Sequence, residues 1–201
     1  MGYHQAGFTD IVGVDHRVMP RYPFSFVQAD ALEYLAQHGH EFDAIHASPP
    51  CQAYSYVANH SRDAGKTYPD LIADLWWVLQ SLECPWIIEN VPGAPMAITL
   101  MLCGTMFDPP LQLRRHRIFE SNISLEPPQW PCRHRLFGPR FRIYEHGRWR
   151  KATTHRAHGA NVTDGAAEAM GIDWMKRDEL TQAIPPAYTY FIGSQLIKVL
   201  E

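Results

Sequence analysis

Short apolar runs alternate with helix-spaced stretches along the first hundred residues, and that alternation restricts the fold more than any other feature. Ile11-Val-Gly-Val-Asp15, Phe24-Ser-Phe-Val-Gln28, Phe42-Asp-Ala-Ile-His-Ala47 and Trp86-Ile-Ile-Glu89 are too short for helices and apolar enough for buried strands. Pro20 and Pro23 mark the loop before the second run, Pro49-Pro50 stop the third, and Pro92-Gly93 stop the fourth. Asp30 followed by Glu33 is a capping-box pattern that opens a helix through His38. Pro69 and Asp70 start a second helix, in which Leu71, Leu75, Val78, Leu79 and Leu82 recur at helical spacing. Residues 52–68 are polar and turn-rich and predict a mobile loop. Strands alternating with helices predict an α/β fold with a parallel sheet and right-handed crossovers.

Beyond Gly104 the texture changes to short strand-like runs rich in proline and arginine, which predicts a small, largely β lobe. Helical signals return at 165–171 and 187–200. The predicted division is a catalytic unit over 1–111, a basic lobe over 112–164, and helices over 165–201 that return to the first unit. Charge supports this division. Residues 112–158 carry eleven Lys/Arg against three acids, a net of +8, whereas the whole chain is at −3 and the remainder therefore at −11. Ten of the eleven are arginines, suited to forked contacts with phosphates and guanine edges, and Trp130, Phe137, Phe141, Tyr144 and Trp149 are interleaved with them. A basic face on an acidic body predicts a polyanion bound in one place; a solvated face paired with the acidic remainder is the alternative.

Composition excludes other classes. With 46% hydrophobic and 19% charged residues the chain is not intrinsically disordered. No apolar run approaches the roughly 20 residues needed to cross a bilayer, and no basic segment followed by an apolar core opens the sequence. Cys51, Cys84, Cys103 and Cys132 are far apart, which predicts reduced thiols and a cytoplasmic setting.

In open α/β sheets reactive groups gather at the carboxyl ends of the strands. Asp15, Asp30, Cys51 and Glu89 occupy such positions. The stiff Ser48-Pro-Pro50 turn can hold the Cys51 thiol in a fixed place, where positive surroundings would make it a nucleophile; a packed, inert cysteine is the alternative. Glu89 ends a very apolar strand, so it is either paired, kept partly protonated, or bridged to an arginine.

Ser48-Pro-Pro-Cys-Gln52, Glu89-Asn-Val91 and Arg115-His-Arg117-Ile-Phe119, in this order, resemble the motif series of the cytosine-C5 DNA methyltransferases, in a compact phage- or bacterial-type form. Met170-Gly-Ile172 and Thr181-Gln-Ala-Ile-Pro-Pro186, with a final helix, resemble the closing motifs more loosely. The resemblance implies a Rossmann-like methyltransferase sheet with a small recognition lobe. It implies that Cys51 adds to C6 of a flipped cytosine, that Glu89 holds the N3/N4 edge, and that Arg117, with Arg115, contacts O2 or a nearby phosphate. Asn90 and Gln52 would support the loop geometry. For S-adenosylmethionine it implies Asp15 at the ribose, His16 against the adenine, Asp30 at the adenine amino group, and Pro50 beside the methyl donor. Arg114, Arg133, Arg135, Arg140, Arg142, Arg148 and Arg150 would meet the DNA, with the recognition region between Phe119 and Gly165.

The chain departs from that family at both ends. A hydrophobic strand and glycine-rich turn normally open the family and cradle the methionine end of the cofactor; here Met1-Gly-Tyr-His-Gln-Ala-Gly7 reads as the helix after that turn. The missing strand is central in the family sheet, so two neighbours should be left with unpaired edges. An upstream segment, a second chain completing the cofactor site, or a non-catalytic DNA-binding relative each accounts for this; the same chemistry on RNA is a further alternative. At the other end, Ala183-Ile-Pro-Pro-Ala-Tyr188 stands where an asparagine contacts the cofactor, which leaves Tyr188 as its substitute. Cys132-x-His134, His146 and His155-x-x-His158 do not match a standard zinc spacing, so no metal site is expected.

Overall fold

The computed structural model describes residues 1–55, 63–137, 141–144, 148–151 and 162–201. The first apolar run forms β1 (Val12–Asp15), which pairs in parallel with β2 (Ser25–Gln28), Asp15 opposite Gln28. Asp30 then caps α2 (Ala31–His38): its Oδ1 accepts from the backbone N–H groups of Leu32 and Glu33 at 2.9 and 3.1 Å. The chain re-enters the interior as β3 (Ile45–Ala47), parallel to β4 (Trp86–Asn90), with α3 (Ile72–Gln80) as the crossover between them.

β4 is buried at every position, and its alternation divides the core in two. Trp86 and Ile88 face α3, packing with Leu75, Leu79 and Ile45 and with Leu32 and Leu35 of α2. Ile87 faces the long C-terminal helix α7 (Pro186–Leu200), packing with Tyr188, Ile192 and Leu196. Helices thus cover both faces, as a parallel pair requires. Short α1 (Gly2–Ala6) lies so close on α7 that a Cβ on Gly2 would stand 2.2 Å from the Pro186 carbonyl oxygen.

The expectation of a purely parallel sheet needs correction. β7 (Arg117–Ser121) inserts between β4 and β5 (Leu100–Leu102) and runs antiparallel to both, giving a mixed four-stranded sheet in the order β3-β4-β7-β5. Residues 117–121, assigned from sequence to the basic lobe, therefore belong to the main sheet; Ile118 and Phe119 are almost wholly buried there. The lobe itself contains a three-stranded sheet, β6 (Leu113–Arg114), β8 (Phe141–Tyr144) and β9 (Arg148–Lys151), in the order β6-β8-β9. A four-residue helix, α4 (His134–Phe137), precedes β8. α5 (Val162–Met170) and α6 (Arg177–Gln182) follow, packing Ala169, Met170 and Leu180 on Leu113. The Arg21 guanidinium grips the Glu179 carboxylate, tying the loop before β2 to α6.

Among the described residues β1 pairs only with β2, and β3 only with β4. The fold is mixed α/β, and none of these helices is long and apolar enough to cross a membrane. Part of the predicted 52–68 loop, residues 56–62, lies outside the described residues.

Candidate active site at the carboxyl ends of the parallel strands

β3 and β4 are adjacent and parallel, so the segments after their carboxyl ends emerge side by side. Asn90, 1% exposed, joins them: its Nδ2 donates to the Pro49 carbonyl at 3.1 Å, while its Oδ1 accepts from the Val91 N–H at 2.8 Å. The Pro49-Pro50-Cys51 turn is thereby fixed against the end of β4. The Cys51 carbonyl accepts from the N–H groups of Tyr54 and Ser55 at 3.0 and 2.9 Å, so the chain curls directly after the half-buried cysteine and carries Gln52 into that turn. Tyr54 then packs on Ile72, Ala94 and Ile118, and its hydroxyl donates to Asp70. Gly93 turns the chain after β4 with φ +104°, a conformation that favours glycine.

Glu89 precedes Asn90 and is 6% exposed. Its Oε1 lies 2.6 Å from Nε of Arg117, which β7 brings across from β5's side; both side chains are about a tenth exposed or less. Of the options the sequence left for Glu89, the ion pair is the one formed. Arg117 also donates from Nη1 to the His116 carbonyl at 3.0 Å, which fixes the guanidinium plane. A buried pair of this kind is held by geometry, and removing one partner leaves a charge without compensation.

A second polar chain reaches the same turn. His46 on β3 lies between the Tyr3 hydroxyl of α1 and Ser48 Oγ, the latter at 3.3 Å. Burial pushes the His46 imidazole down to about 4 and the Tyr3 phenol upward, with the Glu89 charge adding to the latter. Both are therefore neutral at pH 7. Sequence inspection missed this pair because a histidine inside an apolar strand carries no motif.

The residues expected to hold a cofactor stand at the same ends of the parallel strands. Asp15 closes β1, and its carboxylate accepts from the Arg17 N–H at 2.8 Å and from the Arg17 guanidinium at 3.3 and 3.4 Å. His16 follows, exposed, with Nδ1 3.3 Å from Asp15. Asp30 follows β2 and serves as the helix cap already described. Pro50 is half-buried beside Cys51. Acceptors at the ends of β1 and β2 fit hydroxyl and amino groups of a nucleoside, since the Arg17 contacts are exposed and Asp30 uses only Oδ1 for its cap. The residues before β1 form α1 rather than a glycine-rich cradle.

Three expected contacts are corrected. Arg115 is 3% exposed; its Nη2 donates to the Thr181 carbonyl at 2.8 Å, and its own carbonyl accepts from the Tyr188 hydroxyl at 2.6 Å. It clamps the C-terminal segment and does not face a phosphate. Tyr188 is fully buried, stacked on Phe107 with centroids 5.4 Å apart, so it does not replace the cofactor-binding asparagine. Arg133 donates to the carbonyls of Thr105 and Phe107 at 3.1 and 2.8 Å and covers the Trp130 ring, which occupies its guanidinium within the protein. Arg135 is exposed and Arg114 half-buried. Arg140 lies outside the described residues, and Arg142, Arg148 and Arg150 are described through strand register alone. That register sets Arg114 opposite Arg142 and Arg142 opposite Arg150, one row across three strands.

A shallow depression of about 400 Å³, lined by Gly7, Phe8, Asp10, Asp43 and Ile197 among others, lies at the opposite, amino ends of β1 and β3. Cys132 and His134 also have neighbours that their spacing does not announce: Cys103 and His116 converge on them. His146, His155 and His158, the ligands that spacing alone suggests, lie outside the described residues.

No protein-family model matches the chain, and no curated protein matches it in sequence.

Proposed function

We propose that this chain is a Rossmann-like enzyme that methylates C5 of cytosine in DNA, using S-adenosylmethionine. The observation that carries the reading is the convergence of three short sequence elements at one strand-end cluster: the Pro-Cys-Gln turn bonded through Asn90 to Glu-Asn-Val, and Glu89 paired with Arg117 of Arg-x-Arg. Each element is weak evidence alone; their contacts across 41 and 28 residues of chain are what the chemistry requires.

In this reading the target cytosine leaves the duplex, at a cost of a few kcal/mol offset by pocket contacts. Cys51 Sγ, as the thiolate, adds to C6 and drives electron density to C5. Glu89 accepts from the N4 amino group and steadies a proton at N3, and Arg117 offsets negative charge on O2. Asp15, His16, Asp30 and Pro50 would hold S-adenosylmethionine, which would supply an electrophilic methyl group to C5 with a neutral thioether as the leaving group. Loss of the C5 proton to a base then expels Cys51 as thiolate and restores the aromatic ring.

Two further features support the reading. Among the described residues the parallel pairs β1–β2 and β3–β4 are not paired with one another, as expected of a family sheet without its first strand. A strand from upstream residues or a second chain would join both edges and complete the methionine end of the cofactor site. The strand register aligns Arg114, Arg142 and Arg150 across three strands, a placement that suits a polyanion partner. DNA binding should accordingly weaken steeply with salt.

The test is covalent trapping on a duplex containing 5-fluorocytosine, with S-adenosylmethionine, resolved on a denaturing gel. Fluorine blocks the final elimination, so the expected result is a shifted band that Cys51→Ala abolishes while DNA binding survives. Intact DNA binding with no band overturns catalysis in favour of a binding protein, and a band only on 5-fluorocytosine RNA overturns the substrate.

A further inference from the structure

Cys103, His116, Cys132 and His134 come from three separate places in the chain. Cys103 directly follows β5, His116 immediately precedes β7, Cys132 lies just before α4 and His134 opens it. One donor atom from each lies within 4.8 Å of every other. Cys132 Sγ is 3.3 Å from His116 Nε2 and 2.7 Å from His134 Nδ1, and the two imidazole planes stand at 84° with centroids 5.4 Å apart. The rings meet edge to face, and each brings a nitrogen to the same thiol.

We propose that these four side chains bind one zinc ion that fastens the basic lobe to the main sheet. Tetrahedral zinc, with bonds of about 2.3 Å to sulfur and about 2.0 Å to nitrogen, sets neighbouring donor atoms roughly 3.3–3.8 Å apart. The four donors already lie within 4.8 Å of one another, about an ångström beyond that spacing at most. Two thiolates and two neutral imidazoles cancel the charge of a divalent ion, which suits a site whose Cys103 is 0% exposed. Sulfur and nitrogen donors select zinc over magnesium or calcium. Four protein ligands close the coordination sphere, so the ion is structural and leaves no position for a reacting water.

The surroundings are built to hold these ligands. Thr105 Oγ1 lies 3.5 Å from Cys103 Sγ and 3.7 Å from Cys132 Sγ, within reach of either thiolate, and accepts from the Arg133 N–H at 3.1 Å. The Arg133 guanidinium, bonded to the Thr105 and Phe107 carbonyls, draws the 131–134 segment onto the turn after β5. The ion would link this segment, which leads into β8 and β9, to the residue next to Arg117.

The proposal is independent of methyl transfer, and its readout is metal. Purified full-length chain from zinc-supplemented growth should carry about one zinc per molecule by elemental analysis, released on blocking the thiols. Cys103→Ser and His116→Ala should each lower that to below about a tenth, while Cys84→Ser keeps it. Cobalt added to the metal-stripped wild-type chain should give the intense visible absorption of a tetrahedral ion with thiolate charge transfer, which covers the case in which the variants fail to fold. A folded wild-type chain with neither zinc nor a tetrahedral cobalt spectrum overturns the site, as does a Cys103–Cys132 disulfide in its place.

Discussion

β1 and β4 are alike in sequence: both are short, apolar, paired in parallel, and carry an acid at the carboxyl end. All four residues of β1 are nevertheless half-buried, and all five of β4 are buried. Their neighbours make the difference. β4 has β3 on one edge, β7 on the other, and α3 and α7 against its faces. β1 has β2 on one edge and α2 nearby, and every hydrophobic side chain of the buried core belongs to residue 45 or beyond. An apolar run specifies a strand; burial needs partners on both edges and both faces.

The comparison breaks most readily at matched phenylalanines. Phe119→Ala, in β7, removes a fully buried ring and should cost about 3–5 kcal/mol in urea unfolding. Phe26→Ala, in half-buried β2, should cost no more than about 1.5 kcal/mol. Equal losses would mean that the β1–β2 pair belongs to a packed core after all.

Acidification should weaken the four-stranded region next. His46 is held at about 4 by burial, against an ordinary value of 6.5. Between those values the unfolded chain binds more protons than the folded one, so stability falls as pH drops from 6.5 toward 4 and levels off below. The loss is at most about 3 kcal/mol. A pH series of unfolding midpoints checks it, and His46→Gln should flatten that part of the curve. The smallest effect belongs to the other region: Asp30→Ala removes the α2 cap and should cost about 1 kcal/mol, whereas Asp30→Asn should keep most of it.

Much of this is legible in the sequence. The four strands of the first ninety residues, the Asp30 cap and the C-terminal helix lie within a residue or two of where apolar runs, prolines and capping patterns set them, apart from β3, which begins three residues later. Those signals are local: they report preferences of neighbours in the chain. The insertion of β7 between β4 and β5 was not legible, because an antiparallel partner 30 residues away leaves no mark on periodicity. Nor was the inward turn of Arg115 and Arg133 legible, since an arginine that caps carbonyls has the same letters around it as one that meets a phosphate.

The sequence by itself determined where strands and helices form, which residues stand at the strand ends, and that positive charge is concentrated after residue 112. Only the tertiary structure decided that Glu89 faces Arg117, that Asn90 ties down the Cys51 turn, and that Cys103 and His116 join Cys132 and His134. The physical reason is range. Backbone preference and capping act over a few residues, whereas ion pairs and ligand clusters exist only once packing has brought distant segments within a few ångströms.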